Sequence, residues 1–115
     1  MEKIPVIIDC DPGHDDMVAL VLALGSQRLD VKAITNVAGN KVMEKVVRNT
    51  LNILNYCGAE CIVAPGASRP IVRAYTRTDS EGCHGVSGLD GFDFPRDNPL
   101  KPSDRKAVEV MADVL

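Results

Sequence analysis

The chain alternates short apolar runs rich in β-branched residues with segments of helical length. This alternation restricts the folds that the chain can adopt more than any other feature of the sequence. Runs at residues 4–9, 31–37 and 61–64 are typical of buried strands. Residues 43–54 place their apolar side chains on one helical face, and residues 17–24 form a second apolar segment. Parallel strands need such crossovers. The pattern therefore predicts an α/β fold with an open, mainly parallel sheet of Rossmann-like βαβ units.

The last third of the chain has a different composition. Residues 68–102 are rich in Gly, Pro, Ser and Asp, which predicts a long loop, and a loop of this length is uncommon unless it is functional or disordered. Ser103 is in position to cap a final helix over residues 104–115. Three strands make a thin sheet, and the last helix has half its apolar side chains unmatched. We therefore expect residues 1–115 to be the N-terminal part of one domain in a longer protein.

Composition excludes several classes of partner. The chain of 115 residues has a net charge of -3 and only 3% aromatic residues, and it lacks the basic cluster and stacking rings that nucleic-acid binding requires. Its longest apolar run, residues 17–24, is too short to span a membrane. The start lacks the pattern of an export signal, and the four cysteines form no CxxC pair. We expect a cytoplasmic protein that binds neither nucleic acid nor membranes.

Carboxylates are concentrated after the first predicted strand. Asp9, Asp11, Asp15 and Asp16 lie within eight residues, and Asn40 follows the second strand. Ligands of such sheets bind at the carboxyl ends of the strands. A helix N-terminus would stabilise Asp15 and Asp16 by about 0.3–1 kcal/mol each, which is less than the crowding of four acids costs in a partly closed site. A divalent cation would offset the repulsion between the carboxylates, and oxygen ligands favour Ca²⁺ or Mg²⁺. Alternatively, Asp15 and Asp16 merely begin a helix and Asp9 accepts hydrogen bonds from loop amides.

Three motifs occur in order along the chain. They are DCDPGHDD at residues 9–16, VAGN at residues 37–40 and CHGVSGLDG at residues 83–91. Together they resemble the signature motifs of the inosine-uridine-preferring nucleoside hydrolases, in family order and with family-like spacing, over nearly the whole chain. The variants around His14 and His84 are most similar to the pyrimidine-leaning branch.

The resemblance implies an activity and a cofactor. Members of the family hydrolyse the N-glycosidic bond of ribonucleosides to free base and ribose, using a Ca²⁺-bound water and an Asp general base. For this chain the resemblance implies pyrimidine nucleosides such as uridine and cytidine as substrates, with inosine as a further candidate. It also implies a homo-oligomer, dimer or tetramer. The family's remaining Ca²⁺ ligands have no match in these residues, so we expect the chain alone to be inactive.

The resemblance also implies roles for individual residues. Asp11 would ligate Ca²⁺ and act as the general base, with Asp16 as the second metal ligand. Asp15 would accept hydrogen bonds from the ribose 2′- and 3′-hydroxyls, and Asn40 would help to hold the ribose or the metal-bound water. Asp9 would orient these residues without itself contacting the metal or the substrate.

His84 is the candidate least constrained by its motif. The resemblance places it near the nucleobase, where it would bind the base and assist its departure, and makes residues 68–102 an active-site loop. The alternative is a surface histidine or one that only bonds within its Gly-rich loop. His14, in the variable position of the first motif, is expected to be a local packing or polar residue.

Two other functions are compatible with the residues. In a haloacid-dehalogenase-like phosphotransferase, Asp9 would be the nucleophile, Asp11 the acid and Thr35 a phosphate ligand, although the Pro12-Gly13 pair fits that loop poorly. Such an enzyme would depend on Mg²⁺ rather than Ca²⁺. The other alternative is a truncated remnant that binds Ca²⁺ or ribose without turnover, or that only supports a partner subunit.

Overall fold

The computed structural model of the chain describes residues 2–76 and 81–115. It contains strands and helices in alternation, as the sequence pattern predicts. The strands are β1 Ile4–Cys10, β2 Leu29–Asn36 and β3 Ile62–Pro65, and the helices are α1 His14–Gly25, α2 Met43–Cys57, α3 Glu81–His84 and α4 Ala107–Val114.

The three strands form one parallel sheet in the order β1-β2-β3. The register at the carboxyl edge pairs Asp9 with Thr35 and Cys10 with Asn36. All three strands therefore end at the same edge, and the loops that follow β1 and β2 leave the sheet side by side. The predicted α/β class with an open parallel sheet is confirmed.

Helix α1 begins earlier than its apolar run. It starts at His14, directly after the extended residue Gly13, so that Asp15 and Asp16 lie in its first turn. Carboxylates there are favoured by the helix dipole. Helix α2 ends at Cys57, and Gly58 follows in the left-handed conformation with φ of 63°, which a residue without a side chain adopts at low cost.

The main core is aliphatic and lies between the sheet and the first two helices. Its buried residues are Cys10, Leu20, Ile34, Ile53, Leu54, Val63 and Leu89. Leu89 comes from the long loop and is only 2% exposed. Burial of a leucine side chain contributes about 1.5–3 kcal/mol, so this residue anchors the loop against the βα layers. No helix in the described part of the chain is both long and apolar enough to cross a membrane.

The C-terminal region differs from the prediction at its cap. Helix α4 begins at Ala107 with Lys106 as its N-cap, so the prediction of Ser103 as the cap was wrong. The Ser103 hydroxyl instead accepts a hydrogen bond from the Arg105 amide at 3.0 Å, and the Ser103 amide donates to the carbonyl of Val63 at 2.7 Å. The backbone of Ser103 thus joins the end of the loop to β3, which local capping rules do not anticipate.

Among the described residues of the loop predicted over residues 68–102 there is one short helix, Glu81–His84. Part of that prediction, residues 77–80, lies outside the described residues. Residues 84–91, which begin at the last residue of this helix, pack against the turn between β1 and α1 and against α2, and we call this segment the His loop.

Candidate active site

Asp9 lies near the end of β1 and is held by the neighbouring strand. Its Oδ1 accepts a hydrogen bond of 2.6 Å from the hydroxyl of Thr35, which is fully buried on β2. A threonine below the carboxylate fixes its direction without neutralising it. Asp9 is thereby oriented at the carboxyl edge of the sheet.

Asp11 and Asn40 join the loops that follow β1 and β2. The Asn40 backbone amide donates to Asp11 Oδ2 at 2.7 Å, and its side-chain amide donates to the Asp11 carbonyl at 3.0 Å. Gly39 approaches so closely that a Cβ there would collide with the Asp11 carboxylate. The glycine of the second motif therefore makes room for the first aspartate after β1.

Asp16 stands in a crowded carboxylate environment. Partial burial raises its pKa above the ordinary value, and the negative charges of Asp15 and Asp11 raise it further, while a hydrogen bond from the Asp11 backbone acts in the opposite direction. Burial and like charge both disfavour the ionised form. The structure therefore brings the Asp11 and Asp16 carboxylates together, with Asp15 beside them but with its side chain 81% exposed.

His84 reaches this edge from 70 residues along the chain. It is 9% exposed, and its Nδ1 accepts a hydrogen bond from the backbone amide of His14 at 3.2 Å. Its Nε2 lies 3.9 Å from Asp15 Oδ1. A Cβ at Gly13 would come within 2.6 Å of the His84 ring. The ring thus lies directly on the backbone of the first motif, and His84 is not a surface histidine.

The His loop is stabilised internally by Asp90. The Asp90 carboxylate accepts hydrogen bonds from the backbone amides of Val86 and Ser87 at 2.9 and 3.0 Å and from the Ser87 hydroxyl at 2.6 Å. These bonds, those from Ser87 first, lower the pKa of Asp90 to about 2. Hydrogen bonding to a carboxylate favours its charged form, so the loop conformation and the ionised Asp90 stabilise each other.

Two polar residues near the site were missed by the sequence analysis. The Asn49 side chain donates to the carbonyls of Pro12 at 3.2 Å and Ser87 at 2.9 Å, and so joins the first motif to the His loop. Lys41 is fully buried, and its Nζ has no hydrogen-bond partner among the described residues. Asn49 did carry a signal, because it interrupts the buried face of α2 three residues after Val46.

The donor set fits a hard cation only in part. Within residues 2–76 and 81–115, no group of three or more His, Cys, Asp or Glu side chains is close enough to hold a metal ion. The adjacent carboxylates of Asp11 and Asp16 nonetheless supply the oxygen ligands that Ca²⁺ and Mg²⁺ prefer. Burial first, and then repulsion from Asp15 and Asp11, raises the pKa of Asp16, and a bound divalent cation would relieve that repulsion.

Comparison with known proteins identifies the family. Residues 6–115 match the sequence profile described as inosine-uridine preferring nucleoside hydrolase. The chain belongs to this family. Because the chain belongs to the nucleoside hydrolases, the haloacid-dehalogenase-like alternative is not supported. Thr35, the phosphate ligand of that alternative, donates a hydrogen bond to Asp9 in this fold.

Individual relatives agree with the assignment. The chain is 50% identical over 113 residues to the pyrimidine-specific ribonucleoside hydrolase RihA of Salmonella paratyphi B, covering 97% of this chain and 35% of the relative. The purine-preferring ribonucleoside hydrolase from Gardnerella vaginalis superposes with a TM-score of 0.87 at 34% identity, over 96% of this chain and 35% of that one. A plant nucleoside hydrolase gives a TM-score of 0.84 at 33% identity, over 95% and 34% of the two chains. The chain thus spans about a third of the length of its relatives.

Proposed function

We propose that the protein containing this chain hydrolyses the N-glycosidic bond of ribonucleosides to free base and ribose, with uridine and cytidine preferred. The observation that carries the proposal is the Asp11 carboxylate, held by Asn40 and placed beside Asp16 at the carboxyl edge of a parallel sheet. The pyrimidine preference rests on the 50% identity to a pyrimidine-specific ribonucleoside hydrolase.

In the proposed reaction, water attacks C1′ of the ribose while the bond from C1′ to the nucleobase nitrogen breaks. Asp11 takes a proton from the water, and the base leaves with the bonding electrons and gains a proton. Glycosidic cleavage passes through an oxocarbenium-like transition state. The carboxylates at the sheet edge favour this cationic state over the neutral substrate.

Asp11 and Asp16 are the proposed ligands of a Ca²⁺ ion. Such an ion supplies a positive charge that orients substrate oxygens and acidifies a coordinated water. Partial burial, and then the negative charges of Asp15 and Asp11, raise the pKa of the Asp16 carboxyl, and a cation beside it would offset that repulsion. The remaining ligands would have to come from water, substrate or other residues.

Asp15 and Asn40 are the proposed ribose contacts. The exposed carboxylate of Asp15 is free to accept hydrogen bonds from two neighbouring hydroxyls. The Asn40 side chain is bonded to the Asp11 carbonyl, so its first contribution is to hold Asp11 in place. Asp9, fixed by Thr35, supports the edge from the strand side.

His84 is proposed to act on the leaving base. Its Nε2 lies 3.9 Å from Asp15 Oδ1, so a ribose bound by Asp15 would bring the nucleobase close to the imidazole. A hydrogen-bond donor there stabilises the negative charge that develops on the departing base. Residues 68–102 would then be the active-site loop.

The cellular compartment and the oligomeric state of the protein are also proposals. All four cysteines are free thiols, which suits the reducing cytoplasm. We propose a homo-oligomer, dimer or tetramer, and light scattering of the full-length protein would determine it. We further propose that residues 1–115 are the N-terminal part of one domain. Expressed alone, they would bind Ca²⁺ or ribose without turnover, because the described residues supply only part of a metal site.

The deciding experiment measures ribose release from uridine, cytidine and inosine by the full-length protein. It is run with added Ca²⁺, with a chelator, and with either Ca²⁺ or Mg²⁺ added back after chelation. Release that the chelator stops and Ca²⁺ restores would support the hydrolase, and the rates would rank the bases. Calcium binding without any release from the three nucleosides would instead favour the non-enzymatic alternative.

A further inference from the structure

We propose that His14 is the positioning residue for His84, keeping the His84 ring as a hydrogen-bond donor toward the ribose-binding edge. The inference rests on the proposed function only for its catalytic consequence. Its structural part concerns two rings and one backbone amide, and it can be measured in the protein without substrate.

The backbone amide of His14 fixes the hydrogen-bonding role of one nitrogen of His84. His14 is the first residue of α1, where amides have no acceptor within the helix. Its amide donates to His84 Nδ1 at 3.2 Å. A backbone amide can only donate, so Nδ1 of His84 must offer a lone pair. The hydrogen of the neutral His84 ring is therefore on Nε2.

The second step is the direction of that Nε2–H. The atom lies 3.9 Å from Asp15 Oδ1, and the opposite side of the ring is occupied by His14. His84 accordingly presents an N–H, rather than a lone pair, to the side where the ribose and the base would bind. A donor is what an oxygen or nitrogen of a departing base requires.

The third step is the imidazole of His14. Its Nε2 lies 2.8 Å from the carbonyl of Asp90, which can only accept, so Nε2 donates. Its Nδ1 lies 3.1 Å from His84 Nδ1. A neutral His14 ring that donates from Nε2 has no hydrogen on Nδ1, so the contact between the two Nδ1 atoms is not itself a hydrogen bond, and the tautomer of His84 is set by the His14 amide. His14 thus holds the His84 ring through its amide and the His loop through its side chain.

Gly13 provides the space for this arrangement. A Cβ there would lie within 2.7 Å of three atoms of the His84 ring, which is closer than real side chains approach. Gly13 is also extended, with φ of -105° and ψ of -166°. A residue before proline prefers this extended conformation, and proline is well tolerated at the first position of a helix.

These facts define a matched pair of variants. His14→Ala removes the ring and keeps the amide hydrogen, whereas His14→Pro removes both. Val18→Ala, at an exposed position of the same helix, serves as the control. His14→Gln tests the side-chain role, because its amide nitrogen can replace Nε2 as donor to Asp90.

The measurements are the ring tautomer and the kinetics. Long-range nitrogen–proton NMR of histidine-labelled protein reports the tautomer of His84, and its signals are assigned by their loss in His84→Gln. We expect the Nε2–H tautomer in the wild type and in His14→Ala, and a mixture of tautomers in His14→Pro. In the full-length protein with uridine and Ca²⁺, we expect kcat to fall about tenfold further in His14→Pro than in His14→Ala, with KM little changed. His14→Gln should recover part of the kcat lost in His14→Ala.

Two results would overturn the inference. One is an Nδ1–H tautomer of His84 in the wild type. The other is a kcat in His14→Ala equal to that of Val18→Ala, with no change in His14→Pro. If His14→Pro does not fold by circular dichroism, the wild-type tautomer and the Ala and Gln variants still decide. Absence of ribose release by the wild type would refute the proposed function, and the NMR result would stand separately.

Discussion

The backbone amide of Asn40 donates to Asp11 Oδ2 at 2.7 Å, and the Asn40 side chain donates to the Asp11 carbonyl at 3.0 Å. Two loops, each following a different strand, are thereby joined at the edge of the sheet. The carboxylate accepts a hydrogen bond without losing its charge and keeps lone pairs available for a cation or a proton.

Replacement of Asp11 by asparagine should abolish turnover and leave the fold unchanged. The amide has the shape of the carboxylate and can still accept from Asn40, but it cannot take a proton from water. General base catalysis contributes roughly 10²–10⁴-fold, so ribose release should fall by at least that range. Circular dichroism checks the fold, and near-wild-type release with a normal spectrum would refute the role of Asp11 as base.

Replacement of Gly39 by alanine should distort the Asp11 site. The new Cβ would collide with the Asp11 carboxylate, and relief of such overpacking typically costs about 1–3 kcal/mol. We expect a lower Tm and a loss of Ca²⁺ affinity. Gly25→Ala is the matched control, because nothing lies within 4 Å of a Cβ at that position. Equal Tm and equal Ca²⁺ affinity in the two variants would contradict the close approach.

Calcium should stabilise the protein, and Asp16 should be required for that effect. A ligand that binds only the folded state adds about 2.7 kcal/mol at a hundredfold excess over its Kd. Thermal unfolding with Ca²⁺ and with chelator should therefore differ in Tm for the wild type. The shift should disappear in Asp16→Asn and persist in Asp30→Asn, which replaces an aspartate of β2 paired with Lys32. A Ca²⁺ shift that survives in Asp16→Asn would exclude this residue as a ligand.

The His loop should lose stability in acid through Asp90. Its pKa is lowered from 3.8 to about 2 by hydrogen bonds from Ser87 and Val86. Since the folded pKa is the lower one, this contribution to stability is fully present above about pH 4 and is lost as the pH falls toward 2. The free energy of unfolding should thus differ between wild type and Asp90→Asn by a constant amount above pH 4, and by less below it. A difference independent of pH would show that the charge of Asp90 is not responsible.

Much of the fold follows from local patterns in the chain. The β-branched runs predict the strands and the apolar face of α2 predicts the helix, because both patterns depend on residues a few positions apart. The parallel arrangement follows, since consecutive strands joined by helices must run in the same direction. Chain order alone therefore places Asp9, Asp11 and Asn40 at one edge of the sheet.

The way in which the distant loop meets that edge depends on long-range packing. His84 contacts His14 from 70 residues away, and Asn49 of α2 bonds to both Pro12 and Ser87. The prediction of Ser103 as a helix cap was wrong for the same reason. The Ser103 amide donates to the carbonyl of Val63 on β3, a contact between residues that are distant in the chain. Short-range preferences are worth about 1 kcal/mol per residue, whereas packing of Leu89 and pairing of buried polar groups act across the whole chain. Local patterns in the chain are therefore enough to predict the sheet and its acidic edge, whereas the packing of the His loop brings His84 to that edge.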